Sequence, residues 1–252
     1  DVYKRQANIV FEKMGENGNI YRVDRVKTTE AMLALRYAPN EKFFQQRRKR
    51  HSIPSPRLVM NLTHTMAFEN VLGGQYHYNK TSLAISKQFW IAPYGKLYLT
   101  AQAEKIWGET PFPFLVTPSA NSSYTIQRGN YYLIEPLEFV HDAQASWEIY
   151  YHMGGWFLNR VPFLKVLKWR EVFGFRGFIG SLSNKNNPEH NRNLLIFPQD
   201  TYTTNRGPYM EYNIGIENIF KLFRIDYVRR INYLGHPNVD KDGFRVSFNL
   251  NF

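Results

Sequence analysis

From about Thr29 to the last residue, apolar and polar side chains alternate with a period of two, and helical three-four spacing is nearly absent. A period of two sends successive side chains to opposite faces of a strand. The last segment is the clearest: Phe244, Val246, Phe248, Leu250 and Phe252 share one face, and Arg245, Ser247, Asn249 and Asn251 the other. Leu97, Leu99, Ala101 and Ala103 likewise oppose Tyr98, Thr100, Gln102 and Glu104, and Trp147, Ile149 and Tyr151 oppose Ser146, Glu148 and Tyr150. The pattern predicts strands near 29–37, 57–68, 76–90, 95–107, 144–157, 170–182, 209–217, 223–233 and 244–252. Many of these exceed the roughly 5–6 residues of a soluble strand and reach the roughly 9–11 of a tilted membrane-spanning one. The fold class expected is all-β: an antiparallel transmembrane outer-membrane β-barrel of about nine or ten long strands, incomplete at its N-terminal side.

The connections support that expectation. Outer-membrane barrels join strands by short periplasmic turns on one side and long loops on the other. Residues 91–94 and 218–222 are short; 108–143 and 183–208 are long and polar. With the C-terminus in the periplasm, 108–143, 183–208 and 234–243 fall outside. The connections 91–94, 158–169 and 218–222 fall inside, and 38–56 is the long exception among them. The run Asn184 to His190 predicts an exposed, mobile outer loop, and 158–169 an amphipathic helical turn against the membrane. Trp90, Tyr94, Trp156 and Trp169 near inner ends, with Trp107 near an outer one, fit aromatic girdles.

Alternation also assigns charges to a face. Glu104, Glu148, Arg176, Glu211, Glu217, Arg224, Arg230 and Arg245 alternate with apolar neighbours and are expected to face the barrel lumen. In the 209–233 hairpin, pairing 217 with 224 sets Glu217 opposite Arg224 and Glu211 opposite Arg230. Sliding by two residues sets Glu217 against Asp226, a disfavoured like-charge pair. Arg229 then points to the apolar face, which a bulge near Val228 or snorkelling to the headgroups would resolve.

Other features bound the reading. The chain has no cysteine, which excludes disulfide scaffolds and thiolate metal sites. No apolar run approaches the roughly 18 residues of a membrane helix. Net charge is +11, and residues 1–57 hold 13 Lys/Arg against 6 Asp/Glu. The basic run Arg47 to Arg50 reads as a solvated loop before Pro54 and Pro56, since no nucleic-acid recognition motif accompanies it. Residues 1–6 resemble an adapter-derived, non-native leader. Residues 7–28 form an N-terminal segment without assignment, and 29–252 the barrel.

Leu35-Arg-Tyr-Ala-Pro39, Glu138-Phe-Val-His-Asp142, Asn159-Arg-Val-Pro162, Lys168-Trp-Arg-Glu171, Pro208-Tyr-Met-Glu211, Gly215-Ile-Glu-Asn-Ile219 and Arg224-Ile-Asp-Tyr-Val-Arg-Arg230 occur in this order. Together, over roughly 29–252, they resemble the C-terminal barrel of a Bacteroidota outer-membrane family of uncharacterised function. Its members are labelled carboxypeptidase-like regulatory-domain-containing proteins. The resemblance implies an outer-membrane barrel preceded by a small periplasmic β-sandwich and implies no peptidase activity. Phe252, ending an alternating aromatic strand, looks like the signal read by the outer-membrane assembly machinery.

No catalytic or metal-binding constellation stands out. His141, Asp142 and Ser146 lie close near an outer rim, but adjacent strand residues diverge. His64 and His77 lack a third metal ligand, and no glycine loop precedes a helix. Arg176-Gly177-Phe178 is similar to the Arg-Gly-Phe element of outer-membrane assembly barrels but sits within a strand rather than a long loop. The expectation is a non-enzymatic outer-membrane protein of Gram-negative bacteria serving transport or envelope biogenesis. It has no cofactor, and its partners are outer-membrane lipid and the assembly machinery, not nucleic acid. The alternatives are an outer-rim barrel hydrolase and a soluble β-rich binding protein.

Overall fold

The structure is a computed structural model that describes residues 11–15, 17–46, 49–52 and 58–248. Its strands are β1 (Phe11–Met14), β2 (Ile20–Val23), β3 (Glu30–Tyr37), β4 (Phe43–Gln46), β5 (Lys49–Ser52), β6 (Leu58–Ala67), β7 (Tyr78–Ile91), β8 (Gly95–Gly108), β9 (Ala143–His152), β10 (Arg170–Ser181), β11 (Tyr209–Ile219), β12 (Phe223–Arg230) and β13 (Asp242–Phe248). One short helix, α1 (Pro162–Lys165), lies between β9 and β10.

Nine strands form one antiparallel sheet in the order β13-β12-β11-β10-β9-β8-β7-β6-β3, each hydrogen-bonded to its sequence neighbour in the sheet. β1–β2 and β4–β5 are separate hairpins, neither anticipated by the alternation. The second occupies the 38–56 connection, which explains its length. The sheet does not close, because β3 and β13 are its two ends. The all-β antiparallel class stands as expected, and closure into a barrel is not part of the described fold.

Strand lengths of 7 to 14 residues fall partly short of the expectation. β9 ends at His152, where Met153 N donates to Glu171 O and the chain turns into Gly154-Gly155, both at positive φ. β12 ends at Arg230, and Ile231 N instead donates to Met210 O.

The hairpin register is Glu211↔Arg230, Ile214↔Tyr227 and Ile216↔Ile225, as the alternation requires. Glu217 does not meet Arg224, because the register shifts between Ile216 and Ile219. The turn beyond holds Asn218, Phe220 and Lys221 at positive φ, and the bulge accommodates it. Near Val228 the ladder is unbroken. Arg229 therefore stays on the apolar face, exposed at the strand end beside Tyr227 and opposite Asp242.

The two faces differ in what covers them. The face bearing Arg176 and Glu211 is packed under the long connections 109–142 and 182–208, where the hydrophobic clusters lie. One cluster joins Phe112, Leu115, Val116, Val140 and Leu195. Another joins Tyr131, Phe139, Phe178 and Tyr209, whose rings meet at 4.9–5.8 Å. The 182–208 loop is not the loose segment its composition suggests: Asn186, Leu194, Leu195 and Thr204 are buried. Asn186 accepts from Thr110 N and donates to Asp142, so a polar side chain ties the loop down.

Glycines on this face make room for charge. A Cβ on Gly215 would stand 1.8 Å from Asp226 Oδ1, and one on Gly174 2.1 Å from Asn213 Oδ1. Gly215→Ala is expected to destabilise the fold by about 1–3 kcal/mol or more, because the buried polar side chains cannot retreat. Gly235→Ala, with nothing within 4 Å of its Cβ, should be neutral. Comparing the unfolding midpoints of the two variants checks this.

Candidate functional site

Four residues opposed across four strands form a ladder of alternating charge: Glu148 on β9, Arg176 on β10, Glu211 on β11 and Arg230 on β12. Arg176 Nη2 lies 3.3 Å from Glu148 Oε1, and its Nε 3.7 Å from Glu211 Oε1. Arg176 Nη2 also donates to Asn213 Oδ1 at 3.1 Å, and Asn213 Nδ2 donates to Asp226 Oδ2 at 2.9 Å. Arg224 Nε donates to Asp226 Oδ1 at 2.8 Å. Hydrogen bonds and ion pairs thus run without a break from Glu148 to Arg224. Arg230 turns from Glu211 to Glu138 of the 109–142 connection, with Nη2 donating to Oε1 at 2.5 Å and Nη1 to Oε2 at 3.1 Å.

The ladder grips a backbone. Tyr132 N and Leu133 N donate to the two oxygens of Glu211 at 2.9 and 3.2 Å. Arg176 donates to Asn130 O at 2.5 Å, Arg245 to Tyr132 O at 2.5 Å, and Arg230 to Leu133 O at 3.1 Å. Five backbone groups of residues 130–133 are thereby satisfied by charged side chains of the sheet. A segment without regular structure carries backbone donors and acceptors that burial would otherwise leave unpaired. Charge-assisted bonds here replace the missing ladder. The Arg176 guanidinium also lies 4.3 Å over the Tyr132 ring.

All eight charges that alternation assigned to one face lie on this face by register. Arg176, Glu211, Arg224, Arg230 and Arg245 are buried. Glu104, Glu148 and Glu217 are partly exposed and pair with Lys80 (3.9 Å), Arg176 and His152 (3.1 Å) respectively. Glu217 and Arg224 do not pair, since Arg224 is committed to Asp226. Phe252 lies outside the described residues, as do Arg47 and Arg48 of the basic run. Sequence reasoning missed Glu138, Asp226 and His236. Asp226 shares the alternation phase of Arg224 and could have been found. Glu138 and His236 sit in loops, where no period marks a face.

Two cavities flank the ladder. One of about 110 Å³ is lined by Glu104, Glu148, Arg176, Ser146 and Tyr131. The other, a groove of about 670 Å³ at the loop end, is lined by Tyr202, Tyr233, His236, Arg206 and Asn232. His236 Nδ1 lies 2.7 Å from Glu138 Oε1, and its ring stacks on Tyr202 at 4.0 Å.

His141, Asp142 and Ser146 do not form a catalytic array. Thr204 N donates to His141 Nε2 at 3.3 Å, so the ring proton sits on Nδ1, facing Gln144 Oε1 at 3.0 Å. Asp142 turns instead to Ser183, Asn186 and Lys105. Burial pushes the Asp142 carboxyl up, but the Ser183 and Asn186 hydrogen bonds outweigh it and hold the group below its ordinary value. His64 pairs with Thr81 Oγ1 at 3.0 Å, and no group of three or more potential metal ligands occurs among the described residues.

The comparisons with known proteins match a family over a region that carries part of this site. The model of the Family of unknown function (DUF5686) C-terminal domain matches residues 14–190. The chain belongs to this family. No curated protein matches it. The matched span contains the gripped segment 130–133 and the ladder residues Glu148 and Arg176. Glu211, Arg224, Arg230 and Arg245 lie beyond it.

Glu211→Ala should cost about 3–5 kcal/mol, because Arg176 loses a buried counter-charge and two buried amides lose their acceptor. Hydrogen exchange at Tyr132 and Leu133 should accelerate more than elsewhere in the protein. Burial pushes His141 down to about 4 from an ordinary 6.5. Between those values the unfolded chain binds a proton that the folded one does not, so stability rises with pH across that window. The span corresponds to on the order of 3 kcal/mol. Unfolding at pH 4.5 and 7, compared between the native chain and His141→Gln, should show a smaller pH difference in the variant.

Proposed function

We propose that this chain is the C-terminal part of an antiparallel β-barrel in the outer membrane of Gram-negative bacteria. Its role is non-enzymatic, in transport or envelope biogenesis. The observation that carries the reading is the inverted polarity of the sheet. On neighbouring positions, Ile214 is 55% exposed while Asn213 is fully buried, and Phe244 is 65% exposed while Arg245 is 6% exposed. Ile149, Ile179, Ile225, Val246 and Phe248 are exposed on the same apolar face. A water-soluble sheet buries the apolar face and solvates the charged one. A membrane barrel does the reverse.

Other features agree. Trp90, Tyr94 and Trp156 at the turn end and Trp107 at the loop end are exposed, as interfacial aromatics are. Among the described residues no helix is long and apolar enough to cross a membrane, so strands are the spanning element on this reading. The resemblance of roughly 29–252 to the barrel of the Bacteroidota carboxypeptidase-like regulatory-domain proteins points to the same compartment. On this reading the gripped 109–142 connection is a loop folded into the lumen, where it narrows or plugs the passage. The partners are outer-membrane lipid and the outer-membrane assembly machinery.

Ile214→Arg should block insertion, since Ile214 lies midway along β11 on the apolar face and an Arg on the lipid face costs about 2–4 kcal/mol at mid-membrane. Ser247→Asp, facing Arg224 across the register, should insert normally. Recovery of each variant in carbonate-washed outer membranes checks this. Equal recovery of the two would remove the distinction between the faces, and with it the barrel reading.

A further inference from the structure

We infer that the turn end of the sheet carries a docking site for anionic phospholipids, which deepens and rests on the membrane reading above. Two neighbouring connections build it. The first runs from Met153 to Trp169 and contains α1; Phe157, Phe163, Val166 and Leu167 are exposed there, Phe163 at 88%. The second is the β11–β12 turn, with Phe220 at 81% exposure. Asn218 Nδ2 donates to Lys168 O at 2.7 Å, which binds the two connections together. Beside the turn, at the rim of the charged face, opens a cleft lined by Arg170, Lys221 and Arg224, with Asn218 and Glu217.

The charge balance of this cleft favours an anion. Arg224 is neutralised by Asp226, and Glu217 is engaged by His152. Lys168, Arg170 and Lys221 are exposed and carry no carboxylate partner among the described residues. Arg160, 4.6 Å over the Trp156 ring, and Lys165 add positive charge on the same connection.

Cations alone would serve any soluble anion. What selects a lipid is the apolar surface beside them. Phe163, Val166 and Phe220 are exposed on the same two connections that carry Lys168 and Lys221. A phosphate held at the rim by Lys168 and Lys221, with Arg170 at the mouth of the cleft behind them, leaves acyl chains to lie against those apolar side chains. Basic residues near an anionic leaflet contribute additively to binding, and basic pockets beside apolar walls are established headgroup sites. The occupant is a diacyl lipid with a net negative headgroup, not a zwitterionic one.

The test uses the full chain, extracted from membranes in detergent, then reconstituted into phosphatidylcholine vesicles with and without phosphatidylglycerol. Flotation reports insertion, and native mass spectrometry reports lipid retained through delipidation. The expected result is insertion into both, with phosphatidylglycerol retained about tenfold or more over phosphatidylcholine. The triple variant Lys168→Gln, Arg170→Gln, Lys221→Gln should insert but lose that preference. A control with Lys185→Gln, Arg192→Gln and Lys241→Gln at the loop end should keep it. Equal retention of the two lipids with normal insertion overturns the site alone, as does displacement of the lipid by millimolar inorganic phosphate. Failure of the native chain to insert overturns the membrane reading and the site together.

Discussion

The buried carboxylate of Glu211 is the constraint on which the arrangement turns. It sits fully buried in the middle of a sheet, holds two loop amides and the Tyr209 hydroxyl, and lies between two arginines in register. A lone buried carboxylate would cost more than its surroundings return. Arg176 therefore has to be buried beside it, and Arg176 in turn requires Glu148 and Asn213. Asn213 then needs Asp226 as its acceptor, and Asp226 needs Arg224. Each group makes the next one necessary, and the chain ends only where solvent reaches Glu148. A network of this kind adds little net stability compared with an apolar core of the same volume, but it tolerates no missing member. Its geometric consequence is specific: one backbone conformation of residues 130–133 presents its groups to all four charged anchors.

That dependence explains which parts of the fold were legible in the sequence. Period-two alternation marks face and strand directly, so the nine sheet strands and the shared face of the eight charges follow from it. Register in the 209–230 hairpin also follows, because only one alignment keeps Glu217 away from Asp226 and sets Glu211 against Arg230. The pairings were less legible. Alternation says that Arg224 and Glu217 share a face, but not that a bulge after Ile216 separates them. That bulge comes from the three left-handed residues of the following turn, a backbone feature to which hydropathy is blind. Loops were misread for a related reason. Asn184 to His190 looks solvated by composition, yet Asn186 is buried because its amide satisfies Thr110 and Asp142. A polar residue buried by its hydrogen bonds leaves no trace in a hydrophobic pattern.

The covering loops are unevenly distributed, and this bears on what the sheet lacks. From β9 to β12 the charged face is filled by 109–142. Toward β3 the middle of the same face carries short side chains, Ser82 and Ser86 on β7, Asn61 and Thr63 on β6, and Ala34 on β3, with charge only nearer the strand ends at Lys80, Glu30 and Arg36. The short side chains have neither the charge nor the length to grip a loop. β3 is exposed along its whole length on both faces. The sheet is therefore completed on one flank and unfinished on the other.

The unfinished flank sets a condition on the membrane reading. β3 presents a row of backbone groups with no strand beyond it among the described residues, and β13 does the same except at Val246, whose N–H and C=O pair with Tyr124 and Ile126. In water such an edge invites association. In hydrocarbon each unpaired group costs several kcal/mol, so an open edge cannot persist there. Exposed apolar side chains on the sheet argue for hydrocarbon, and the two edges argue that the sheet cannot enter it alone. Both hold only when the edges are joined, either to one another or through further strands. A direct junction would set β3, exposed along its length and with Glu30 and Arg36 near its ends, against Arg245 and Ser247 of β13. Additional strands between them would let the loop-filled half and the open half of the interior remain separate.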